Sequence, residues 1–572
     1  MEKVDRKASR QVNLEPTVIE RSLSYVFPKM AQRLHQDRMR FELQAAVGRG
    51  VGGYIGARRD RSQTAEWSPG GGSPEADISG DLPMLRDRSR DQVRNAAVAA
   101  GGIGTDVLHV VGTGLTYTPA IDAEVLGITE DRARTWSTTT KARFATWASS
   151  TDCDVKRQLD FYSIQELAYR SWMESGDVFV LTPMVSRDGV ESLALQLIEA
   201  DRVCNPNYKQ NTDTLQDGVE LDPDTFAPIA IHVAKYHPGS VRHGGANSWT
   251  RYEFRGKDTG RRNVIHLFDA LRPDQVRGVP WVAPILEPLK QLGKWTDNEL
   301  NAAVVSSIWA VFMEMDAEGF SELFDDDSAT KIINDAQRWS GKMESGKAVN
   351  LLPGEKAHMV TPGRPNPEFD PFWTAMVRQI GMVLGIPYEV LVMHFQSSYT
   401  AARGALLMAW RRWNQRRDKI AKGLCAPVVD LWMANEVSAG EIAAPGFFAS
   451  KHIRAAWCAA MWTGDGPGSV DPVKEVTAAE KRVAMGISTL QAESIAYDGQ
   501  DWAAKQRQRA KEVEQQRIDG TLPAPAAGAA TPADGNGSDD DTEVPPDRKP
   551  PRAPAPAPTQ SPAPAPTPRR RG

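Results

Sequence analysis

The chain has 572 residues, room for three or four domains of about 150 residues each. Its 68 Lys and Arg stand against 73 Asp and Glu, and the formal charge of −5 excludes a globally basic coat for nucleic acid, so any contact with a polyanion has to be local. The mean hydropathy is −0.43, no apolar run approaches the ~18 residues of a membrane span, and Met1–Asn13 is charged where a secretory signal would be apolar, so the reading is a soluble, cytosolic protein.

Residues 48–73 are rich in glycine, with the run Gly70–Gly72, and predict a flexible stretch. The stretch Leu82–Val111 starts as a helix and breaks at Gly112-Thr113-Gly114. Short β-branched and aromatic runs at Val178–Leu197 and Ile229–Phe254, separated by Gly, Pro and Asp, predict antiparallel strands of an α+β domain. Apolar residues spaced by three and four predict a helix over Trp281–Met313, with Gly293 a candidate interruption. After a compact insert, a second helix starts with Asn366 as N-cap and Pro367 at its first position, and stops at Gly385 before Pro387. A third runs over Tyr399–Lys422 with Ala402, Leu406, Trp410 and Trp413 on one stripe, and its only acid is Asp418 among many bases. The residues after 518 are Pro- and Ala-rich and end in Arg569–Arg571. Such a tail buries no core, and its basic tip either touches DNA or a partner or is simply solvated.

Signals for chemistry are weak. Cys153, Cys204, Cys425 and Cys458 lie far apart with no CxxC pair, as reduced, buried thiols do. The segment Gly341–Lys347 has the GxxxxGK spacing of a phosphate-binding loop, but Ala348 stands where a Ser or Thr would hold magnesium, and the preceding Ile332–Ser340 is polar and helix-like. The glycines of 48–56 follow no strand, which argues against a dinucleotide fingerprint. His232 and His237 would fall on opposite faces of a strand, so with His243 they make poor metal ligands. Glu314, Asp316, Glu318, Glu322, Asp325, Asp326 and Asp327 form an acidic stretch that reads as a solvated, DNA-repelling surface. No catalytic, cofactor-binding or metal-binding residue is therefore assigned, and the protein is not read as an enzyme.

Several segments carry a resemblance by their order: Leu85-Arg86-Asp87-Arg88-Ser89-Arg90-Asp91 with Arg94-Asn95, Val110-Val111-Gly112-Thr113-Gly114, Gly176-Asp177-Val178-Phe179-Val180, and Ile198-Glu199-Ala200-Asp201-Arg202. Further on come Val264-Ile265-His266-Leu267-Phe268, Arg277-Gly278-Val279-Pro280-Trp281, Gly385-Ile386-Pro387-Tyr388-Glu389-Val390-Leu391, Tyr399-Thr400-Ala401-Ala402-Arg403, Asp471-Pro472-Val473-Lys474-Glu475 and Gly486-Ile487-Ser488-Thr489. Over residues 65 to about 515 the set resembles the lambda-type portal proteins of tailed phages. One departure is Val392–Ser398, where the family has a loop richer in Asp and Gly.

The resemblance implies a portal-type multi-domain subunit, α+β, forming a dodecameric ring with a central channel through which double-stranded DNA is packaged and ejected. It implies an N-terminal arm over 1–74, a wing over 75–270, a first stem helix region over 271–313, a clip over 314–362 bearing the acidic stretch, and a second stem helix over 363–386. A tunnel loop over 387–398, a long helix and wing return over 399–449, a crown over 450–518 and a disordered tail over 519–572 complete it. The DNA-facing residues would be His394, Phe395, Gln396, Ser397 and Ser398, since polar and aromatic tips touch sugar and phosphate with little fixed charge, although an ordinary surface loop has the same composition. Arg403, Arg411, Arg412, Arg416 and Lys419 would be guide bases, with helix geometry letting only some face the lumen. The implied partners are further copies of the chain, loosely held DNA, the terminase large subunit, a head-tail connector, and major capsid and scaffold proteins, with no cofactor and no membrane. A nucleic-acid-dependent ATPase built on Gly341–Lys347, or a minor head or scaffold protein without a channel, are the alternatives.

Overall fold

The computed structural model describes residues 70–187, 189–241, 248–307, 310–313, 347–350, 366–395, 398–467 and 472–521, together with residues 35, 36, 66, 328, 330 and 331. Residues Met1–Lys505 form one unit and Gln506–Gly572 a second, whose described part is helical to Ile518. The seven carboxylates of 314–327, Gly341–Gly346, His243 and the chain after 521 lie outside the described residues.

Pro83 presets the first turn of helix α1 (Leu82–Asn95). Ala96 is extended, so the stretch that starts as a helix forms two, and α2 (Ala97–Val110) ends just before the expected glycine break. Strand β1 (Thr116–Pro119), helix α3 (Glu130–Ser149) and helix α4 (Phe161–Ser175) follow. Strand β2 (Asp177–Leu181) is buried along its whole length because it is the middle of a three-stranded antiparallel sheet. Val180 faces Leu197 of one neighbouring strand, Gln196–Ile198, and Ile265 of the other, Val264–Phe268. A four-stranded antiparallel meander made of Leu215–Gln216, Val219–Leu221, Pro228–Ala234 and Trp249–Glu253 packs Val219 and Ile231 against Phe179 and Ile198. The predicted antiparallel α+β domain is present.

Elsewhere the predicted boundaries move for local reasons. Pro280 and Pro284 leave Ala283–Ile285 a 3-10 turn, so α5 spans Leu286–Ser307 and runs through Gly293 without a break. The β-rich run Ala310–Met313 is a strand, β3, paired in parallel with β4 (Lys347–Asn350). Helix α6 (Phe369–Leu384) begins two residues later than the sequence predicts, because Asn366 Oδ1 accepts from the Glu368 amide at 3.1 Å in a turn ahead of the helix. It stops at Gly385, whose φ of +72° suits glycine. A short helix α7 (Tyr388–Leu391) precedes α8 (Tyr399–Ile420). The predicted stop at Lys422 is absent: a π-helical turn, Ala421–Cys425, carries α8 into α9 (Ala426–Ser438). The stretch after 450 returns to the start of the fold, where Ala460–Thr463 pairs antiparallel with β1 and Asp465 accepts from the Thr113 amide at 3.0 Å. One apolar core, with Phe144, Phe161, Trp172, Trp413 and Trp432 at its centre, joins α2, α4, α6, α8 and α9.

One buried ionic node holds the strand layer to the helices. Gly176 (φ +87°) and Gly278 touch backbone to backbone, closer than any Cβ would permit. Their neighbours Asp177 and Arg277 are therefore forced together inside the protein. Arg277 donates to Asp177 Oδ2 at 2.6 Å and Oδ1 at 3.2 Å, to Ala200 O and Val203 O at 2.8 Å each, and to Asp217 O, so its five N–H groups are all used. Arg86 of α1 adds a bond to Asp177 Oδ1 at 2.9 Å and one to Ser175 O, while His266 lies 3.3 Å from Oδ2. Burial alone would push the Asp177 carboxyl up, but the Arg277 and Arg86 guanidiniums outweigh it and hold the group well below the usual carboxylate range. A depressed carboxyl stabilises the fold above the ordinary value near pH 4 and stops doing so as pH falls through that value toward its own. Thermal melting should therefore drop steeply between about pH 5 and 2, with a shallower slope in Asp177→Asn, which should also lose about 3–5 kcal/mol at neutral pH by leaving two guanidiniums without their carboxylate.

Candidate functional site

The segment between α6 and α8 carries the predicted contact residues. Pro387 directs the chain into α7, Met393 takes φ +53°, and the His394 amide donates to Glu389 O at 3.0 Å, so the chain turns sharply just before the predicted contact residues. His394 and Phe395 are exposed, Phe395 to 57%. Gln396 and Ser397 lie outside the described residues. Ser398 is the N-cap of α8, its Oγ accepting from the Ala401 amide at 3.4 Å.

The five predicted bases separate into different roles. Arg416 is 5% exposed and forms a buried ion pair with Asp106 of α2, while its Nη2 donates to Leu384 O at 2.9 Å and its guanidinium lies 4.2 Å over the Trp281 ring. Arg412, one turn earlier on the same face, donates to Val383 O at 3.3 Å and covers Gly385 so closely that a Cβ there would collide with its side chain. Both are engaged with the end of α6, Arg416 from a buried position and Arg412 from an exposed one. Arg403 lies 3.9 Å from Glu475, Lys419 pairs with Asp269, and Arg411 is exposed. Arg417, given no role from the sequence, caps α2 through Val110 O at 3.0 Å and His109 O at 2.8 Å and also reaches Asp465 O.

Asp106 was also missed, although the signal is present: it is the lone carboxylate in an otherwise small and apolar helix, AVAAGGIGTDVLHV, and a buried acid needs partners. Besides Arg416 it accepts from Tyr169 Oη at 2.7 Å and from Trp413 Nε1 at 2.8 Å. Burial pushes its carboxyl up, and Arg416, Tyr169 and Trp413 pull it back toward the charged form.

Two other clusters have the ingredients of chemistry without its geometry. Glu199, Asp201 and His237 bring three ligand atoms together, but Arg90 reaches Glu199 at 3.3 Å and Arg86 reaches Asp201 at 3.4 Å, so guanidiniums already sit where a cation would. Lys347 and Ala348 belong to strand β4, whereas a phosphate-binding lysine opens a helix, so the GxxxxGK spacing has the wrong context.

These features describe a chain held together by buried ionic joints, and comparison with known proteins assigns its family. Residues 60–417 match the family described as phage portal protein, lambda family. The chain is 25% identical over 491 residues to portal protein B of Escherichia phage lambda, covering 82% of this chain and 90% of that protein. It is 26% identical over 507 residues to the portal protein of Escherichia phage N15, covering 84% and 92%. A chain in the virion of a native gene transfer agent particle aligns at 12% identity with a TM-score of 0.40, covering 72% of this chain and 90% of that one. A chain in the neck of the native gene transfer agent particle, computed with C12 symmetry, aligns at 10% identity and 0.39, covering 72% and 92%. The chain belongs to the lambda family of phage portal proteins, and its role is that of a portal protein. Among the described residues no helix is long and apolar enough to cross a membrane.

Arg416→Ala should cost about 3–5 kcal/mol in urea unfolding, because Asp106 remains buried without its cation. Arg411→Ala on the exposed face should stay within about 0.5 kcal/mol of the parent.

Proposed function

We propose that twelve copies of this chain close into a ring at one capsid vertex, around a channel that passes double-stranded DNA inward during packaging and outward during ejection. The observation that carries this is the family match across residues 60–417, which takes in α1 through most of α8. The net charge supports it: a conduit must not grip, each phosphate neutralised by a base releases counterions and adds affinity, and a ring of acidic subunits presents a repelling outline with only local cations. In this reading 75–270 is the wing, 271–313 and 363–386 carry the stem helices, 314–362 is the clip, 387–398 is the tunnel loop, 399–449 is the long helix with the wing return, and 450–518 is the crown. The loop residues His394, Phe395, Gln396, Ser397 and Ser398 touch DNA without reading it. With Arg412 and Arg416 committed to α6, Arg403, Arg411 and Lys419 are the remaining guide bases. The clip docks the terminase large subunit and then the connector, and capsid and scaffold proteins meet the outer rim.

An end-on electron-microscope image of the purified protein tests the ring. A pierced twelve-fold particle of about 750 kDa, wide enough inside for a B-form duplex, is expected, and a stable monomer in the presence of scaffold protein sinks the proposal. Gln396→Lys with Ser397→Lys should slow packaging in a reconstituted motor by adding phosphate contacts, and an unchanged velocity removes the loop from the channel wall.

A further inference from the structure

We propose that Arg412 and Arg416 are positioning residues for the DNA-facing loop, a clamp between the end of α6 and the body of α8 that fixes where the loop is held. The inference rests on the assignment of 387–398 to the channel and goes beyond it by naming what holds that segment.

Helix α6 ends with carbonyls that have no partner within the helix and with the negative end of its dipole. Two guanidiniums from α8 meet that end: Arg412 donates to Val383 O and Arg416 to Leu384 O, four residues apart on one helix face and serving two successive carbonyls. Gly385 makes this approach possible, since any side chain there would occupy the space Arg412 fills. The far side of Arg416 is tied to Asp106, and Asp106 is held in turn by Tyr169 of α4 and by Trp413 of α8 itself. The clamp therefore refers the end of α6 to α2 and α4, the rigid centre of the core.

The segment that leaves α6 is anchored in the core at Ile386 and Leu391, and beyond that anchor Met393, His394 and Phe395 are exposed. Among the described side chains of α8 the first buried one is Ala409, and Gly404, Leu407 and Met408 before it are exposed. From Ser398 to Arg412 the helix rises by about 20 Å at 1.5 Å per residue, so a 10° change of the α8 axis at the clamp moves the start of the helix by about 3–4 Å. That displacement is as large as a hydrogen-bond length, enough to bring the segment onto a duplex or take it out of reach. Ordinary burial of α8 would hold the helix in the core without requiring two arginines to read the last two carbonyls of α6.

The test uses the full-length ring and three variants: Arg412→Ala, Arg412→Lys, and Asp106→Asn combined with Arg416→Gln, which removes the buried pair as a pair. Arg412 is exposed, so its variants keep the fold. Amide exchange across 386–395 and 398–408 is compared with exchange across β2, and packaging velocity is measured in a reconstituted motor. The proposal expects Arg412→Ala to speed exchange in those two stretches by about five- to tenfold, the factor a lost hydrogen bond of ordinary strength gives. It also expects β2 exchange to be unchanged, packaging velocity to shift at least twofold, Arg412→Lys to return both readouts toward the parent, and the double variant to behave like Arg412→Ala. Unchanged exchange in the two stretches overturns the clamp. Faster exchange with unchanged packaging overturns the DNA-facing assignment on which the proposal rests, while leaving the ring itself untouched.

Discussion

The structure depends on a carboxylate that has no access to water. Asp177 starts the central strand of the three-stranded sheet, and it is stable there only because Arg277 and Arg86 bring charge and directional donors to both of its oxygens. Each partner comes from a different part of the chain. Arg86 arrives on α1, Arg277 on the loop leading to α5, His266 on the neighbouring strand, and Asp201 reaches Arg86 from the turn after another strand. A joint of this kind adds little net stability compared with a well-packed apolar one, but it tolerates few alternatives, because any misplacement leaves a charge buried alone. It specifies how strands and helices meet.

The second joint, at Asp106, repeats the logic on the helical side. Its partners Trp413 and Arg416 lie on the helix that begins after Ser398, so the core's demand for a buried counter-charge also orients α8. Arg412, Arg416 and Arg417 spend their donors on the carbonyl ends of α6 and α2. A helix that looks from composition like a basic rod is, from its middle onward, a set of caps for its neighbours. Arg411, Arg412 and Lys419 keep exposed side chains on the same helix.

The quoted segments that mark the family in the sequence turn out to be largely the pieces of these joints. Gly176-Asp177, Arg277-Gly278, Arg86, Asp201 and His266 converge on one point, Gly112-Thr113-Gly114 receives Asp465, and Gly385 lies beneath Arg412. Their order was legible without a structure, and their common destination was not, since Asp177 meets Arg86 from 91 positions away and Arg277 from 100 only when the sheet forms. The same limit applies to the bases: the spacing of Arg412 and Arg416 shows that they share a helix face, but not that both meet the end of α6.

By itself the sequence determined the α+β class, the antiparallel strands within Val178–Leu197 and Ile229–Phe254, the break at Gly112-Thr113-Gly114 and the stop of α6 at Gly385, because each follows from alternation, helical spacing or a glycine's freedom within a few residues. It also determined the family, through an ordered series of short segments. Tertiary structure alone decided that Ala310–Met313 is a strand, that α8 continues through a π-turn into α9, and that Ala460–Thr463 returns to β1, since strand partners and helix continuation depend on neighbours remote in the chain. It also decided which arginines are charges in the core and which remain outside, because burial is a property of the packed molecule and of no single segment.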